Sequence, residues 1–395
     1  MSLKFKIFFC FVIFIFFLNC NSNEEKLKIE QQVKEAIVGD WDFVEEISKY
    51  DLLGGAKLPS PSEFNSISIT KDSVEFYLGI YDFSTFLERE KSRKSFYGTF
   101  TSYKMNYDTL VIHNLVPPNH PCKWKFERCK NDTLEFRLRD STLVRYKKIQ
   151  PITNSSPSFD AIIVSTTGCY GTCAVLNLLI NTKGELLFQG QHYINPLGLH
   201  SGKLNKYVTQ KLFKKFEKAN PLKLSDFNYD SISDQESYFI SFIQDGKIVK
   251  TIEDYAYQSP KELIWAYLPF SNMYQTITLT ELKENINEIP RLTYFEFKTG
   301  NKLLNILKSE SFYLFSELEK AKLSNINFKA NFKLLFHQDE NDLNQILNIE
   351  TDGRYYRYNF ENGKVIILDL GYNFIERNFK NRNYIEDVFR KRKII

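Results

Sequence analysis

A chain of 395 residues is longer than one ordinary domain, and two or three are expected. Apolar residues make up 43% and charged ones 25%, the balance of packed globular domains, which excludes a disordered or low-complexity chain. The formal net charge is +4, Lys4 and Lys6 lie in the leader, and no basic stripe interleaves with aromatics, so nucleic acid is not an expected partner.

The leader reads MSLKFKIFFCFVIFIFFLNCNSNEEK. Lys4 and Lys6 precede an apolar run from Ile7 to Leu18, too short to cross a bilayer comfortably but suited to a signal peptide. No Ala-x-Ala-like cleavage pattern follows. The run closes on FLNC, which resembles a bacterial lipoprotein lipobox, with Phe17 where Leu is usual and Asn19 where a smaller residue is usual. The resemblance implies that residues 1–19 are removed and that Cys20 is acylated and begins the mature chain. The protein is then expected in the bacterial envelope, lipid-anchored at the outer membrane, in an oxidising compartment.

Residues 20–38 form the tether and a short helix, with Ile29, Val33, Ala36 and Ile37 on one face and Gly39 as C-cap. Residues 39–149 read as strands. NSISITKDSVEFYLGIY alternates around a Lys-Asp turn, and DTLVIHNL, WKFERCKNDTLEFRL and STLVRYKKI continue as a meander. IVGDWDFVEE, with Gly39 and Trp41, resembles the Gly-x-Trp opening of lipocalin-like domains, which implies a closed or half-open antiparallel barrel and makes a small apolar ligand a candidate. QPITNSSPS, residues 150–158, is a linker.

Residues 159–280 are expected to be an α+β domain. FDAIIVSTTGCYGTCAVLNLLINTKGELLFQGQHY reads as strand, tight loop, strand, turn, strand. LNKYVTQKLFKKFEKAN places Leu204, Tyr207, Val208, Leu212 and Phe216 at helical spacing. A hairpin turns at Asp245-Gly246, and Ser259-Pro260-Lys261-Glu262 offers a capping box to a second helix. Residues 281–395 form a third α+β domain, with the strand LTYFEF, a helix across roughly 301–320, turns at Asp352-Gly353 and Asn362-Gly363, and a basic tail. The fold class is therefore α+β and β-rich, a barrel-like domain followed by two α+β domains built on antiparallel hairpins.

In TTGCYGTCAV, Cys169 and Cys173 are separated by three residues. A phosphate loop requires a Lys after the last glycine, and Thr172 and Cys173 stand there. A thioredoxin-type site uses two intervening residues at a helix N-terminus, and AVLNLLI suits a buried strand better. Metal binding needs further ligands, and the nearest histidine, His192, lies on another strand. A disulfide needs Cα atoms about 4.4–6.8 Å apart, so the chain must turn between the cysteines, and Gly168 and Gly171 permit a tight backbone. A structural disulfide is the favoured reading. Cys122 and Cys129 on an extended WKFERC would be about 23 Å apart and cannot pair with each other.

TTGCYGTCAVLNLLI, GELLFQG, SDQESYFISF and DGKIVKTIEDY together resemble a bacterial domain family of unknown function found in secreted and lipid-anchored proteins. A Pro commonly follows the second cysteine in that family, where this chain has Ala174. The family carries no established activity and implies none here.

His113, His120, His192, His200 and His337 are scattered outside His-Glu-x-x-His or Gly-x-Ser-x-Gly contexts. Carboxylate pairs such as Glu253-Asp254 and Asp339-Glu340 sit at strand ends and turns, where solvation explains them. No catalytic, cofactor or metal-binding residue is selected. The expected function is a membrane-anchored, non-enzymatic protein that binds a small apolar ligand or another envelope protein. A hydrolase without a motif and a thiol-redox protein using Cys169 and Cys173 are the alternatives.

Overall fold

The computed structural model describes residues 24–47, 66–82, 95–138, 142–150, 157–282, 294–336 and 346–386. The chain divides into two compact units, residues 1–153 and 154–395.

The first unit opens with α1 (24–37). Strands β1 (Gly39–Ile47), β2 (Ile67–Ile69), β3 (Ser73–Phe76), β4 (Tyr81–Asp82), β5 (Ser95–Phe96), β6 (Phe100–Asn106), β7 (Thr109–Ile112), β8 (Cys122–Lys130), β9 (Thr133–Arg137) and β10 (Leu143–Lys148) follow. All but β4 and β5 close an eight-stranded barrel in the order β1-β10-β9-β8-β7-β6-β3-β2, every pair antiparallel.

The period-2 pattern drives the closure. Leu110 and Ile112 alternate into the barrel on β7, and Leu134 and Phe136 do so on β9. Rings fill the space between them: Trp124 lies 5.5 Å from Phe136 and 5.7 Å from Phe76, and Phe136 lies 6.5 Å from Tyr146. Val33 and Ile37 of α1 join the same cluster, and Trp41 Nε1 donates to Ile37 O at 2.7 Å, fastening the helix to the barrel. On the outer face Glu135 accepts from Arg128 at 2.6 and 2.8 Å and from Arg145 at 2.7 Å, and these guanidiniums hold its carboxyl down to about 2. Cys122 and Cys129 are free thiols on one strand, and Cys129 Sγ donates to Ala36 O at 3.4 Å.

The second unit contains two eight-stranded sheets. The first uses β11 (Ala161–Thr166), β12 (Val175–Asn181), β13 (Glu185–His192), β14 (Gly198–Lys203), β15 (Phe227–Asn228), β16 (Ser237–Gln244), β17 (Lys247–Tyr255) and β18 (Thr280–Glu281), in the order β15-β17-β16-β11-β12-β13-β14-β18. The second uses β19 (Phe295–Thr299), β20 (Lys302–Asn305), β21 (Lys322–Leu323), β22 (Phe332–Phe336), β23 (Ile346–Thr351), β24 (Tyr355–Phe360), β25 (Val365–Asp369) and β26 (Ile385–Glu386). Helices α2 (Lys206–Lys218) and α3 (Lys261–Asn272) cover one face of the first sheet, where Phe242 meets Phe216 at 5.8 Å and Phe216 meets Phe270 at 6.1 Å. Helix α4 (Lys308–Leu318) lies on the other face, and α5 (Phe374–Phe379) reaches β17 through Asn378 Oδ1, which accepts from Ile248 N–H at 2.8 Å. Ile163, Leu199 and Ile243 of the first sheet share one core with Phe312 and Leu314 of α4 and Tyr356 and Leu368 of the second sheet.

Two local expectations need correction. The helix expected across 301–320 begins only at Lys308, because Gly300, at φ 56°, turns β19 back into β20. On α2 the buried residues are Thr209, Leu212, Phe213 and Phe216, whereas Tyr207 is 59% exposed.

Candidate functional site

The cysteine loop sits at the end of β11. Thr166 Oγ1 donates to Ala174 O at 2.6 Å and accepts from Leu176 N–H at 3.1 Å, drawing the two ends of the loop together. Within it the Sγ atoms of Cys169 and Cys173 are at disulfide distance, with Cα atoms 5.6 Å apart. Gly171 N–H donates to Cys169 O at 2.8 Å in a tight turn, and neither Gly168 nor Gly171 has a positive φ. The loop is also pinned from outside. Thr167 N–H donates to Ser237 O and Ser237 N–H to Thr167 Oγ1, both at 3.0 Å, and Tyr170 N–H donates to Asp234 O at 3.2 Å. Tyr170 projects from the tip, 88% exposed.

These bonds join the loop to the start of β16 and to Asp234, in the connection that leads back to β15 at the sheet's outer edge. There β15 runs parallel to β17, with Phe227 opposite Glu253. The pairing builds a row of stacked rings: Phe227 and Tyr229 have centroids 5.8 Å apart, and Tyr229 and Tyr255 5.0 Å. Phe227 and Tyr229 are 53% and 59% exposed. The edge is closed to strand addition at Phe227, because Ser225 Oγ accepts its N–H at 3.3 Å and donates to its carbonyl at 2.8 Å.

The pleat of β17 separates the carboxylates that the sequence reads as a solvated pair. Asp254 is fully buried and accepts from Tyr267 Oη and Gln258 N–H at 2.7 Å and from Ser259 N–H at 3.1 Å. These bonds replace the expected capping box. Pro260 stands at the N-cap of α3 without a side-chain bond, and Ser259 Oγ accepts from Asn228 Nδ2 at 3.2 Å instead. Glu253 shares the opposite face with Tyr255. It is partly buried, burial pushes its carboxyl up, and among the described residues it has no side-chain hydrogen bond or ion pair.

Helix α4 covers only half of this face. Ser309 Oγ, in its first turn, meets Ser241 Oγ at 2.7 Å, and Tyr313 Oη reaches Gly246 O at the hairpin tip at 3.2 Å. Register places the Phe239/Glu253 and Ser237/Tyr255 rows beyond the start of the helix. At the border, Lys308 Nζ donates to Thr166 O at 2.6 Å and to Gln191 Oε1 at 2.8 Å, and burial pulls its amine down to about 7. Both partners are acceptor oxygens, so Lys308 donates to each and fixes the orientation of the Gln191 amide. Gln191 Nε2 turns to Gln189 Oε1 at 3.5 Å, an oxygen that also accepts from Asn177 Nδ2 at 2.8 Å. Asn177 Oδ1 and Ser165 Oγ, on paired residues, are buried without a hydrogen-bond partner among the described residues.

Cys20, His337, Asp339 and Glu340 lie outside the described residues. Among the described residues no three His, Cys, Asp or Glu side chains are grouped as a metal site requires, and no helix is long and apolar enough to cross a membrane. His200 Nδ1 lies 3.3 Å from Gly198 O and its ring packs on Phe188, a structural placement. Sequence reasoning misses Lys308 and the ring row, whose members meet only through tertiary packing.

No curated protein and no solved structure matches the chain. Residues 160–274, from the start of β11 to just past α3, match the family model of a domain of unknown function (DUF6438), so the disulfide loop, the ring row and Glu253 belong to that domain while Lys308 lies outside it.

Proposed function

We propose that this chain is an extracytoplasmic lipoprotein, acylated at Cys20, that acts as a binding protein through the disulfide-loop end of its β11–β17 sheet. The observation that carries the reading is the exposed pair of rings Phe227 and Tyr229, stacked on the half-buried Tyr255, together with the exposed Tyr170 of the loop. Apolar area left in water forgoes roughly 25 cal/mol per Å², and rigid aromatics are the side chains that anchor interfaces. The pinned loop holds Tyr170 in place before any partner arrives, which lowers the ordering cost of binding. The leader supports export, and an oxidising compartment keeps such a bridge closed.

The test places a photo-crosslinking amino acid at Tyr229 in cells, with Leu323, 64% exposed elsewhere in the same unit, as the comparison site. A discrete adduct from position 229 and none from 323 supports the surface, and equal labelling at both defeats it. Mass spectrometry of the mature N-terminus addresses the anchor: a diacylated Cys20 is expected, and an unmodified chain starting at Met1 overturns it.

A further inference from the structure

The same surface carries a charge pattern that names a class of partner. Glu253 lies in register with Phe227 and on the face of Tyr255, partly buried and without a cation among the described residues. Between Leu224 and Phe239 the chain has Asp226, Asp230, Asp234 and Glu236 and no Lys or Arg. The nearby Lys250 is engaged by Asp226 and, at 2.6 Å, by Leu224 O. The disulfide loop, from Thr167 to Ala174, carries no charge of its own. A carboxylate held beside exposed rings suits a cation, which the ring faces attract through their quadrupole and the carboxylate through its charge. Phe227 ends the row, and Tyr229 Oη has no hydrogen bond among the described residues, so it can accept one from an ammonium or guanidinium.

Resting on the binding reading above, we infer that this surface takes a basic peptide segment, with an Arg or Lys head seated between Glu253 and the Phe227–Tyr229 rings. The segment lies across the side chains rather than adding a strand, because Ser225 has already taken up the outward N–H and carbonyl of Phe227. A peptide fits better than a small cation, since the row continues to Tyr255, whose Oη accepts from Gln235 N–H at 3.0 Å, and the adjacent Asp234 carbonyl accepts from Tyr170 N–H at 3.2 Å. Arg is also among the residues that interfaces favour.

The experiment measures fluorescence anisotropy of labelled hexa-arginine on the full chain, with hexa-glutamate and neutral cellohexaose as further probes. E253Q is expected to weaken hexa-arginine binding about tenfold, whereas E361Q, at an exposed turn in the same unit, changes it by less than about twofold. The unfolding midpoint of E253Q should be no lower than that of wild type, because Glu253 has no side-chain partner to lose and its charge is partly buried. Equal weakening by E253Q and E361Q would reduce the effect to net charge and overturn the inference, as would no binding of hexa-arginine to the wild type. Cellohexaose binding that is lost in Y229S and kept in E253Q would overturn the basic-peptide inference while leaving the binding surface standing. Hexa-arginine binding indifferent to both E253Q and Y229S would overturn both readings.

Discussion

Lys308 Nζ lies 2.6 Å from the carbonyl oxygen of Thr166, so a residue at the start of α4 holds the last carbonyl before the disulfide loop. Its other acceptor is the neutral Gln191 side chain, and desolvation is the sole cause that moves its amine from 10.5 to about 7. Below pH 7 the ammonium is present in both folded and unfolded chains, and the folded state bears the whole cost of burying it. Between about 7 and 10.5 the folded chain has released the proton and the unfolded chain has not. Stability of the second unit is therefore expected to rise with pH across that window, by at most about 1.4 kcal/mol per pH unit from this group. Lys308→Met should raise stability at pH 6 by about 1–3 kcal/mol and remove this contribution to the slope, read as urea midpoints from pH 6 to 9.

The disulfide should contribute modestly. Four positions separate Cys169 from Cys173, and closing so small a loop removes about 2 kcal/mol of unfolded-state entropy. Cys169→Ser with Cys173→Ser is expected to lower the urea midpoint accordingly. In hydrogen exchange the Tyr170 amide should lose protection while β11 and β16 keep theirs.

Glu310, fully buried, accepts from Arg382 at 2.5 and 2.6 Å and from Leu307 N–H at 2.8 Å. Arg382→Met strands that carboxylate and should cost about 3–5 kcal/mol by chemical denaturation. Adding Glu310→Met should recover much of the loss, since the pair then leaves no buried charge behind.

In the first unit, Trp41→Phe removes the indole N–H that binds Ile37 O and leaves space in the barrel core. A loss of about 1–3 kcal/mol is expected in thermal unfolding. Exchange should quicken in residues 24–37 before it does in β9.

Local patterns account for much of the strand and hairpin reading. Asp245 and Gly246 adopt φ 51° and 66°, as a two-residue hairpin turn requires, and Asn131 and Asp132 do the same at 50° and 59°. Leu303, Leu304, Ile306 and Leu307 fit helical spacing as well as they fit β20, so the boundary before α4 is ambiguous in sequence. Lys308 reads as a solvated residue at a helix start, and only the sheet beneath it removes the water. The ring row is invisible for a similar reason, because Tyr229 and Tyr255 meet through a parallel pairing that no adjacent residues announce. The Glu253-Asp254 doublet looks uniform in sequence, yet one member ends up sealed under α3 and the other faces the rings.

The coverage by α4 has a practical reach for anyone trimming this gene. The stretch that recurs as a family stops at residue 274, whereas the body it belongs to continues into the second sheet. A clone cut at the family boundary would unroof Ile163, Ile243 and the Ser165–Asn177–Gln189 row, and should yield sticky material even with every matched residue present. Extending the same clone to residue 386 restores the roof.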